Sequence, residues 1–507
     1  MLKITNTLVK PYLKYKYKKL RYTSDHSLVT QHSQFSYLIS QLAETSFGQK
    51  YGVKEDTDMK SFAQRVPLHH YDDLKPHIQR MMDGDANVLW PGRITMFSKS
   101  SGTTSDKSKF IPVSSENLYG NHIKGAWDTL SILYNNYPDV RIFAGKNLII
   151  PGSVQPYPTN PDVIVGDISA LMTYHMPMIG RPFFTPDIET ALMEDFEAKI
   201  NLMASKLLDE PIVMIGGVPT WNVVLFRKIL KLTGKSNLLE VWPDLQAYIH
   251  GGVGFAPYRQ QFERFIPKDD FIYQEVYNAS EGYFATQDQA GDAGLLLLVN
   301  NGIYFEFIPI EQLEKDHPAA IPLEQVEKNN TYAIVISTNG GLWRYIVGDL
   351  VKFVSVHPYR IVIEGRTAQF INVFGEEVMV ANTDKAIADT CRQTQARISN
   401  YSVAPIYFEP GQKGGHQWLV EFEVEPESID DFALKLDQNL RKINSDYDAK
   451  RYKDMALQPL QLKAIPPGTF VRWLKHRGKL GAQAKVPRLS NDRKIMESIL
   501  KFVEYNE

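Results

Sequence analysis

The chain has 507 residues, of which 43% are hydrophobic and 22% charged, and its formal net charge at pH 7 is −2. This length predicts two or three domains, and the near-neutral charge gives no reason to expect non-specific nucleic-acid binding. The single cysteine, Cys391, excludes an intrachain disulfide and favours a reducing, cytoplasmic location.

The N-terminal segment is basic. Seven Lys and Arg residues lie between Met1 and Arg21, without the apolar centre of a secretory signal. The pattern predicts a helix, interrupted near Pro11, with one apolar face formed by Leu8, Leu13, Tyr17 and Leu20. We expect this helix to pack on a domain surface with solvated lysines, and binding to a membrane or a polyanion is the alternative. No run reaches the roughly 18 apolar residues of a membrane span, so stable membrane insertion is not expected.

A hydroxyl-rich segment follows the first predicted strand, Ile94–Phe97. Residues 100–109 read Ser-Ser-Gly-Thr-Thr-Ser-Asp-Lys-Ser-Lys. Backbone N–H groups and hydroxyls in such a turn donate to phosphate oxygens, and the lysines supply charge. The phosphate-loop pattern G-x-x-x-x-G-K-[ST] is absent. The segment therefore indicates a different oxyanion-binding loop, or else a serine-rich surface loop.

Three later strands end in glycine-rich or polar turns. These are Ile212–Ile215 before Gly216-Gly217, Ala247–His250 before Gly251-Gly252, and Phe271–Val276 before Tyr277-Asn278-Ala279-Ser280-Glu281-Gly282. Helices are predicted between strands, including Asn117–Tyr134 and Asp187–Leu208. Alternating strands and helices predict a parallel or mixed sheet covered on both sides, and ligands collect where such strands end.

The remainder of the chain predicts an antiparallel region and then a smaller unit. Antiparallel strands are expected at Leu295–Val299, Ile303–Ile308 and Thr331–Ser337, and a further strand at Arg360–Glu364. We place a domain boundary at Gly365-Arg366, and residues 366–507 read as a small α+β domain. Within that domain a strand is expected near Ile406–Glu409, and the stretch 478–488 reads as a polar basic loop.

Four segments in this order resemble the acyl-adenylate-forming superfamily of synthetases and ligases: the 100–109 loop, Tyr277-x-x-Ser280-Glu281, Tyr345-x-x-Gly348-Asp349 and Gly365-Arg366. Within it, the chain is most similar to the Gretchen Hagen, auxin-responsive promoter family of acyl acid amido synthetases. The stretches that carry this resemblance are the loop with its ending Lys109-Phe110-Ile111-Pro112, Gly217-Val218-Pro219-Thr220-Trp221, and Gln483-Ala484-Lys485-Val486-Pro487-Arg488. The resemblance runs from about Phe97 to Arg488.

The resemblance implies an α/β fold class. A large N-terminal adenylate-forming domain with mixed β-sheets and helices, residues 1–365, would be followed by a small mobile C-terminal α+β cap, residues 366–507. It also implies two half-reactions. A carboxylic acid attacks the α-phosphorus of ATP, giving acyl-AMP and pyrophosphate, and an amine, usually of an amino acid, then displaces AMP to form an amide. The partners would be a small carboxylic acid and an amino acid or other amine, and no nucleic acid.

The resemblance further implies a set of nucleotide-binding residues. Tyr277 would lie against adenine, Asp349 would accept hydrogen bonds from the ribose hydroxyls, and Arg366 would hold the nucleotide near the hinge. The remaining ATP-binding residues would be Ser100, Ser101, Gly102, Thr103, Thr104, Lys109, Gly252 and Ser280. Taken alone, Tyr277 also fits a core tyrosine and Asp349 a turn aspartate.

Two residues are expected to act in the chemistry itself. Glu281 matches the superfamily ligand to Mg²⁺, and Lys485 would reach from the cap to stabilise charge on the α-phosphate. Alone, Glu281 also fits an acid at a helix N-terminus, and Lys485 a solvated lysine. The acyl pocket would use the Asn117–Tyr134 helix, Val218 and Tyr283, and Tyr283 also fits a buried core position.

Some positions depart from the superfamily pattern. Asp106 stands where the phosphate loop often has glycine, Ala368 replaces the usual hinge aspartate, and Asn372 replaces a basic residue. The last two changes favour the amide-forming branch. An acyl-CoA ligase that shares the adenylation step is the alternative function, and a nucleotide-binding protein without ligase chemistry is the alternative of a different class.

Overall fold

The computed structural model describes residues 2–100, 109–178, 180–255, 258–291, 294–313, 315, 317–366, 370–408, 413–454, 456–477 and 486–504. Helices and strands alternate through most of this length. A large α/β part comes first, and a smaller α+β part follows it. The α/β fold class expected from the sequence is therefore confirmed.

The helices are spread along the whole chain. They are α1 (Leu2–Asp25), α2 (Ser27–Ala43), α3 (Ser46–Lys50), α4 (Met59–Arg65), α5 (Tyr71–Asp83), α6 (Ser115–Asn117), α7 (Lys124–Asn136), α8 (Ile168–Tyr174), α9 (Ile188–Ala191), α10 (Phe196–Lys206), α11 (Pro219–Thr233), α12 (Arg259–Phe265), α13 (Val380–Thr394), α14 (Ile429–Ile443), α15 (Ser445–Arg451), α16 (Thr469–His476) and α17 (Lys494–Glu504). A π-helix, Leu118–Ile123, joins α6 to α7. Among the described residues, no helix combines the length and the apolar character that crossing a bilayer requires.

The strands are β1 (Met96–Ser100), β2 (Lys109–Pro112), β3 (Lys146–Ile149), β4 (Val154–Tyr157), β5 (Asn160–Gly166), β6 (Phe184–Thr185), β7 (Ile212–Gly216), β8 (Ala247–His250), β9 (Ile272–Ala279), β10 (Gly282–Gln287), β11 (Leu295–Leu297), β12 (Ile303–Pro309), β13 (Ile321–Pro322), β14 (Thr331–Thr338), β15 (Tyr345–Val356), β16 (Tyr359–Arg366), β17 (Phe370–Ile371), β18 (Val378–Met379), β19 (Arg397–Ile406), β20 (Gly415–Val424) and β21 (Gln461–Ile465).

One large sheet organises the first part. Its strand order is β13-β12-β14-β15-β16-β11-β10-β9-β8-β7-β3-β6. Strands β6, β3, β7, β8 and β9 are parallel, in line with the parallel or mixed sheet expected there. The strands from β9 to β13 in this order pair antiparallel, which the sequence predicted only for the region after Leu295. A second sheet, β2-β1-β5-β4, packs beside it. The carboxyl ends of the parallel strands therefore meet at one edge.

The two halves of the large sheet have separate cores. The antiparallel half packs against α2 to α5 through fully buried side chains such as Leu42, Phe62 and Trp343. The parallel half packs against α10, α11 and α12, and the same cluster continues into the C-terminal part through Phe374 and Trp418. The smaller part is therefore joined to the larger one by shared apolar packing.

The C-terminal part is built on the sheet β19-β20-β21. Helices α13 and α14 contribute to the core on one face, and α16 and α17 to a separate cluster with Leu419 and Ile465. Cys391 lies on α13 and is half-buried, and burial raises its pKa, which lowers the thiolate fraction.

Three sequence expectations about elements are wrong. Helix α1 runs through Pro11 without a break, because Leu13 and Leu20 beyond the proline are held in the core. The helix expected over Asp187–Leu208 is two helices, because Asp187 and Asp195 each cap a separate helix start. Ile406 ends strand β19 instead of starting a strand, and β19 begins two residues after Gln395, the left-handed residue that ends α13; Glu409 lies outside the described residues.

Candidate active site

Two glycine turns lie side by side at the carboxyl edge of the parallel strands. Gly217 follows β7 with φ 125°, and Gly252 follows β8 with φ 82°, both in the region that favours glycine. A Cβ atom on Gly252 would lie 3.3 Å from Cγ2 of Val218. The structure thus brings the predicted residues Val218 and Gly252 into contact in the position where α/β sheets bind ligands.

The next parallel strand, β9, carries Tyr277, which reaches across the sheet. Its hydroxyl donates a hydrogen bond to Oδ2 of Asp349 on β15, and both side chains are buried. Four strand spacings separate β9 from β15, about 19 Å in a flat sheet. The hydrogen bond therefore requires the antiparallel half to curl strongly, which places two motifs distant in sequence on one site.

Strand β15 is anchored at its start by Arg344. This residue adopts a left-handed conformation, and its guanidinium makes a two-point ion pair with the carboxylate of Glu306 on β12, with N–O distances of 2.9 and 3.0 Å. The guanidinium also donates to the carbonyls of Ala63 and Val66. Because both partners are buried, this pair fixes the position from which β15 carries Asp349 into the site.

Asp349 lies directly opposite Arg366 in the β15–β16 register. Gly348, just before it, has φ 93°, a conformation that any residue with a Cβ would adopt only under strain. The side chain of Arg366 lies outside the described part of the structure, so only its backbone position is established. The Arg366 backbone lies on β16, opposite Asp349, which is the predicted ribose-binding residue.

Ser280 and Glu281 form the two-residue turn of a hairpin between β9 and β10, in which Ala279 pairs with Gly282. Both side chains are half-buried. The helix start considered for Glu281 from the sequence is therefore wrong, because a β-hairpin follows instead. The turn begins three residues beyond Tyr277, directly after β9 ends.

The hydroxyl-rich segment connects β1 to β2. Ser100 pairs with Lys109 across these antiparallel strands, while Ser101, Gly102, Thr103 and Thr104, with Asp106, lie outside the described residues. The Lys109 ammonium lies 5.6 Å from the ring centroid of Tyr71, whose hydroxyl accepts a hydrogen bond from the Phe110 amide. Helix α5 thus holds one end of the loop through Tyr71.

The two predicted acyl-pocket residues have different surroundings. Val218 faces the glycine turn, whereas the Tyr283 ring is 4% exposed beneath α7. The Tyr283 hydroxyl makes a 2.6 Å hydrogen bond with the Thr129 hydroxyl, and burial raises its pKa. This location favours the core interpretation that the sequence left open for Tyr283.

The π-helix brings another polar side chain to this region. His122 is fully buried, and its Nδ1 lies 3.0 Å from Oδ1 of Asn278, which is part of the Tyr277–Glu281 motif. Burial lowers the pKa of His122 to about 4, so the imidazole is neutral at pH 7. Its Nε2 has no hydrogen-bond partner among the described residues. Nothing in the sequence distinguished His122, because the π-helical turn that directs it cannot be read from periodicity.

The C-terminal part contacts the same edge of the large sheet. The Asn372 side chain lies 3.5 Å from the Gly252 carbonyl, and the Phe374 carbonyl accepts a 2.9 Å hydrogen bond from Thr220 of α11. The Val373 carbonyl accepts from the hydroxyl of Tyr258 at 2.8 Å. The segment between β17 and β18 therefore lies over the start of α11 and beside the glycine turn.

Lys485 lies outside the described residues, but the segment after it is firmly held. Ser402 donates to the Pro487 carbonyl at 2.8 Å, and the Val403 amide donates to the Arg488 carbonyl at 2.8 Å. The Arg488 guanidinium pairs with the carboxylate of Asp384. This segment is thus tied along the edge of β19.

Three models of the GH3 family match the chain in order. The N-terminal domain matches residues 16–271, the central domain 296–366 and the C-terminal domain 381–494. The first of these alone spans more than half of the chain. The chain belongs to the GH3 family. The resemblance that the motifs carried is therefore confirmed.

Relatives with named activities match over most of their length. The indole-3-acetic acid-amido synthetase GH3.3 of Arabidopsis thaliana is 23% identical, over 91% of this chain and 89% of the relative. The jasmonoyl–L-amino acid synthetase JAR4 of Nicotiana attenuata is 24% identical, over 94% of this chain and 93% of the relative. The GH3 likeness thus includes both the large and the small part.

Solved structures share the fold. A GH3.15 acyl acid amido synthetase superposes with a TM-score of 0.61 at 17% identity, covering 97% of this chain and 96% of that chain. A 2-hydroxyisobutyryl-CoA ligase superposes with a TM-score of 0.54 at 12% identity, covering 94% and 91%. The fold of this GH3 chain is therefore shared with an acyl acid amido synthetase and with a CoA ligase.

One buried residue at the contact between the large and the small part of the GH3 chain was not predicted from the sequence. Lys450 of α15 is 6% exposed, and its Nζ lies 3.8 Å from the ring centroid of Trp221 on α11. A Cβ atom on Gly375 would lie 3.3 Å from that Nζ, so the glycine leaves room for the ammonium. Burial lowers the pKa of Lys450 to about 8. In the sequence, Lys450 stands among charged residues and reads as a solvated lysine.

Proposed function

We propose that this GH3 protein is an ATP-dependent acyl acid amido synthetase. A carboxylate oxygen of the acid attacks the α-phosphorus of ATP, and the bond to pyrophosphate breaks. The nitrogen of an amino acid or other amine then attacks the acyl carbon, the bond to the AMP oxygen breaks, and a proton leaves the nitrogen. The products are an amide, AMP and pyrophosphate.

The observation that carries this proposal is family membership along the whole chain. All three GH3 domain models match in order, and the named relatives are amido synthetases that join an acid to an amino acid. The likeness to the CoA ligase extends to the fold alone. The amide-forming reaction is therefore favoured over thioester formation.

The nucleotide would lie along the edge where the glycine turns meet the Tyr277–Asp349 pair. Tyr277 would face adenine, and Asp349, oriented by the Tyr277 hydroxyl, would accept from the ribose hydroxyls. The phosphates would extend toward the loop between Ser100 and Lys109, with Gly252 and Ser280 along the path. Most of the rate enhancement would come from positioning and charge neutralisation.

Magnesium fits this arrangement as a cation that arrives with the nucleotide. Among the described residues no group of three or more His, Cys, Asp and Glu side chains could hold a metal ion by itself. Mg²⁺ is commonly held by one or two carboxylates together with substrate phosphates. Glu281, presented by the hairpin turn, would supply such a carboxylate, and the ion would neutralise phosphate charge.

We further propose that the cap begins at residue 366, with residues 1–365 as the adenylation domain. The break between the GH3 central model, ending at 366, and the C-terminal model, starting at 381, supports this boundary. Lys485 would reach the α-phosphate from the cap. The anchoring of Pro487 and Arg488 on β19 supports this role, because it fixes the point from which the preceding residues must depart.

The acid would lie beside Val218, between the glycine turns and the π-helix that carries His122. The first substrates to test are indole-3-acetic acid and jasmonic acid, because relatives are named for them. Aromatic and short aliphatic acids follow. We also propose a cytoplasmic location, which the single half-buried cysteine supports.

The test is product identification by mass spectrometry. The protein is incubated with ATP, Mg²⁺ and each acid, together with either a mixture of amino acids or coenzyme A. We expect an acyl–amino acid amide and AMP with the amino acids, and no thioester. Product formation only with coenzyme A would establish the thioester ligase, and no acid-dependent exchange of labelled pyrophosphate into ATP across the acid panel would favour a protein without ligase chemistry.

A further inference from the structure

Helix α1 presents large apolar and aromatic side chains to solvent. Leu8 is 72% exposed, Tyr12 49%, and Tyr15 and Tyr22 are each 64% exposed. Their spacing of three, four or seven residues places them on one side of the helix, which we call the outer stripe. The opposite side of α1 is buried through Leu13 and Leu20 against the α7 region, so the sequence expectation that placed Leu8 on their face is wrong.

The same helix is strongly basic. Seven of its residues are Lys or Arg and one, Asp25, is acidic, so α1 carries a formal charge of +6 in a chain of net charge −2. Lys16 pairs with Asp128, and Arg21 lies 3.4 Å from Asp25. Lys14, Lys18 and Lys19 are exposed and make no ion pair with any other described residue. The outer stripe is therefore bordered by cations that remain available to an anionic partner.

The charge pattern of α1 favours one class of partner over two others. A second copy of the chain would bring two +6 helices together, and like charges placed opposite each other disfavour association. Single-stranded nucleic acid is bound in basic grooves lined by aromatic side chains, whereas α1 offers a convex helix surface. Lysines beside exposed Leu and Tyr on one helix match the boundary of an anionic bilayer, where tyrosine rings lie at headgroup depth and lysines reach the headgroups.

We propose that α1 docks the protein reversibly onto an anionic lipid surface, with the helix parallel to the membrane plane and the outer stripe facing the lipid. The contact requires no membrane-spanning segment. It involves a surface separate from the glycine turns and from the Tyr277–Asp349 pair. The proposal therefore stands or falls independently of the amido synthetase reaction.

The test is sedimentation of the full-length protein with vesicles of phosphatidylcholine alone, or of phosphatidylcholine with about 30% phosphatidylserine. We expect at least tenfold stronger binding to the anionic vesicles, lost at high salt because the electrostatic part is screened. The double variants Tyr15→Ser/Tyr22→Ser and Lys14→Glu/Lys18→Glu each alter only exposed side chains. Each should reduce binding at least tenfold.

A matched control double variant is Leu232→Ser/Lys494→Glu, which changes an exposed apolar residue and an exposed lysine outside α1. It should bind anionic vesicles like the unaltered protein. Equal binding to both kinds of vesicle, or full binding by either α1 variant, would overturn the proposal. So would binding to RNA, or self-association that depends on the outer stripe, in the absence of vesicle binding.

Discussion

Tyr277 and Asp349 are separated by 72 positions in the chain, yet one hydrogen bond joins them. The sequence identified both residues because each belongs to a short motif. It could not predict their direct contact, because that contact depends on how far the sheet curls across three intervening strands. The same limit applies to Tyr283, whose burial beneath α7 depends on tertiary packing.

The Tyr277 hydroxyl should matter for ATP binding through its effect on Asp349. The variant Tyr277→Phe keeps the ring but removes the hydrogen bond that orients the carboxylate. A hydrogen bond to a charged group contributes about 1.5–3 kcal/mol, so we expect KM for ATP to rise about tenfold or more, with a smaller effect on KM for the acid. Steady-state kinetics at varied ATP concentration measure this.

The matched control is Tyr304→Phe, which removes the hydroxyl of another buried tyrosine of the same sheet, on β12. It should leave KM for ATP unchanged. If Tyr277→Phe also left it unchanged, and Asp349→Asn did the same, these residues would not contact the nucleotide.

At the scale of elements, the local sequence predicted the bounds of a strand correctly where that strand is short, apolar and bounded by glycine. Strand β8 has the predicted bounds, Ala247–His250, because its buried run ends at a double glycine. Strand β19 was missed, because its first residues, Arg397 to Asn400, are mostly polar and do not form a continuous apolar run. The π-helix was also missed, since an extra residue in one turn hardly changes the apolar pattern.

The contact between α15 and α11 places a buried lysine at the junction of the two parts. Carboxylates of Asp446, Glu376, Asp167 and Glu377 act on Lys450 and raise its pKa, but burial dominates and the pKa remains near 8. Below pH 8 both folded and unfolded chains carry this proton, so the cost of the buried charge is fully present. Between pH 8 and 10.5 only the unfolded chain retains the Lys450 proton. The contribution of Lys450 to the free energy of unfolding therefore rises with pH in this range.

Replacing Lys450 by methionine should therefore stabilise the protein at pH 7. We expect the free energy of unfolding to increase by roughly 2–3 kcal/mol, a gain that shrinks toward zero as the pH approaches 10.5. Urea denaturation at several pH values measures this. The control Lys442→Met alters an exposed lysine on α14 and should show no such pH-dependent gain. A stability loss at pH 7 would show that the Trp221 contact outweighs the burial of charge.

At the scale of the whole molecule, the two parts share one apolar cluster and meet at the edge where the parallel strands end. The order of motifs predicted a large part followed by a smaller one, and the exact boundary at Gly365-Arg366 stays a prediction. The docking contacts of Thr220, Tyr258 and Lys450 could not be predicted, because each joins elements far apart in the sequence. In our proposal the site is consequently assembled from both parts.

The most direct test of the proposed reaction follows the oxygen atoms of the acid. An acid that supports amide formation is labelled with ¹⁸O at both carboxylate positions, and the products of a single turnover are examined by mass spectrometry. Attack of the carboxylate on the α-phosphorus predicts one ¹⁸O in AMP and one in the amide. Label in inorganic phosphate together with ADP, or amide formation with unlabelled AMP, would contradict activation through an acyl-adenylate.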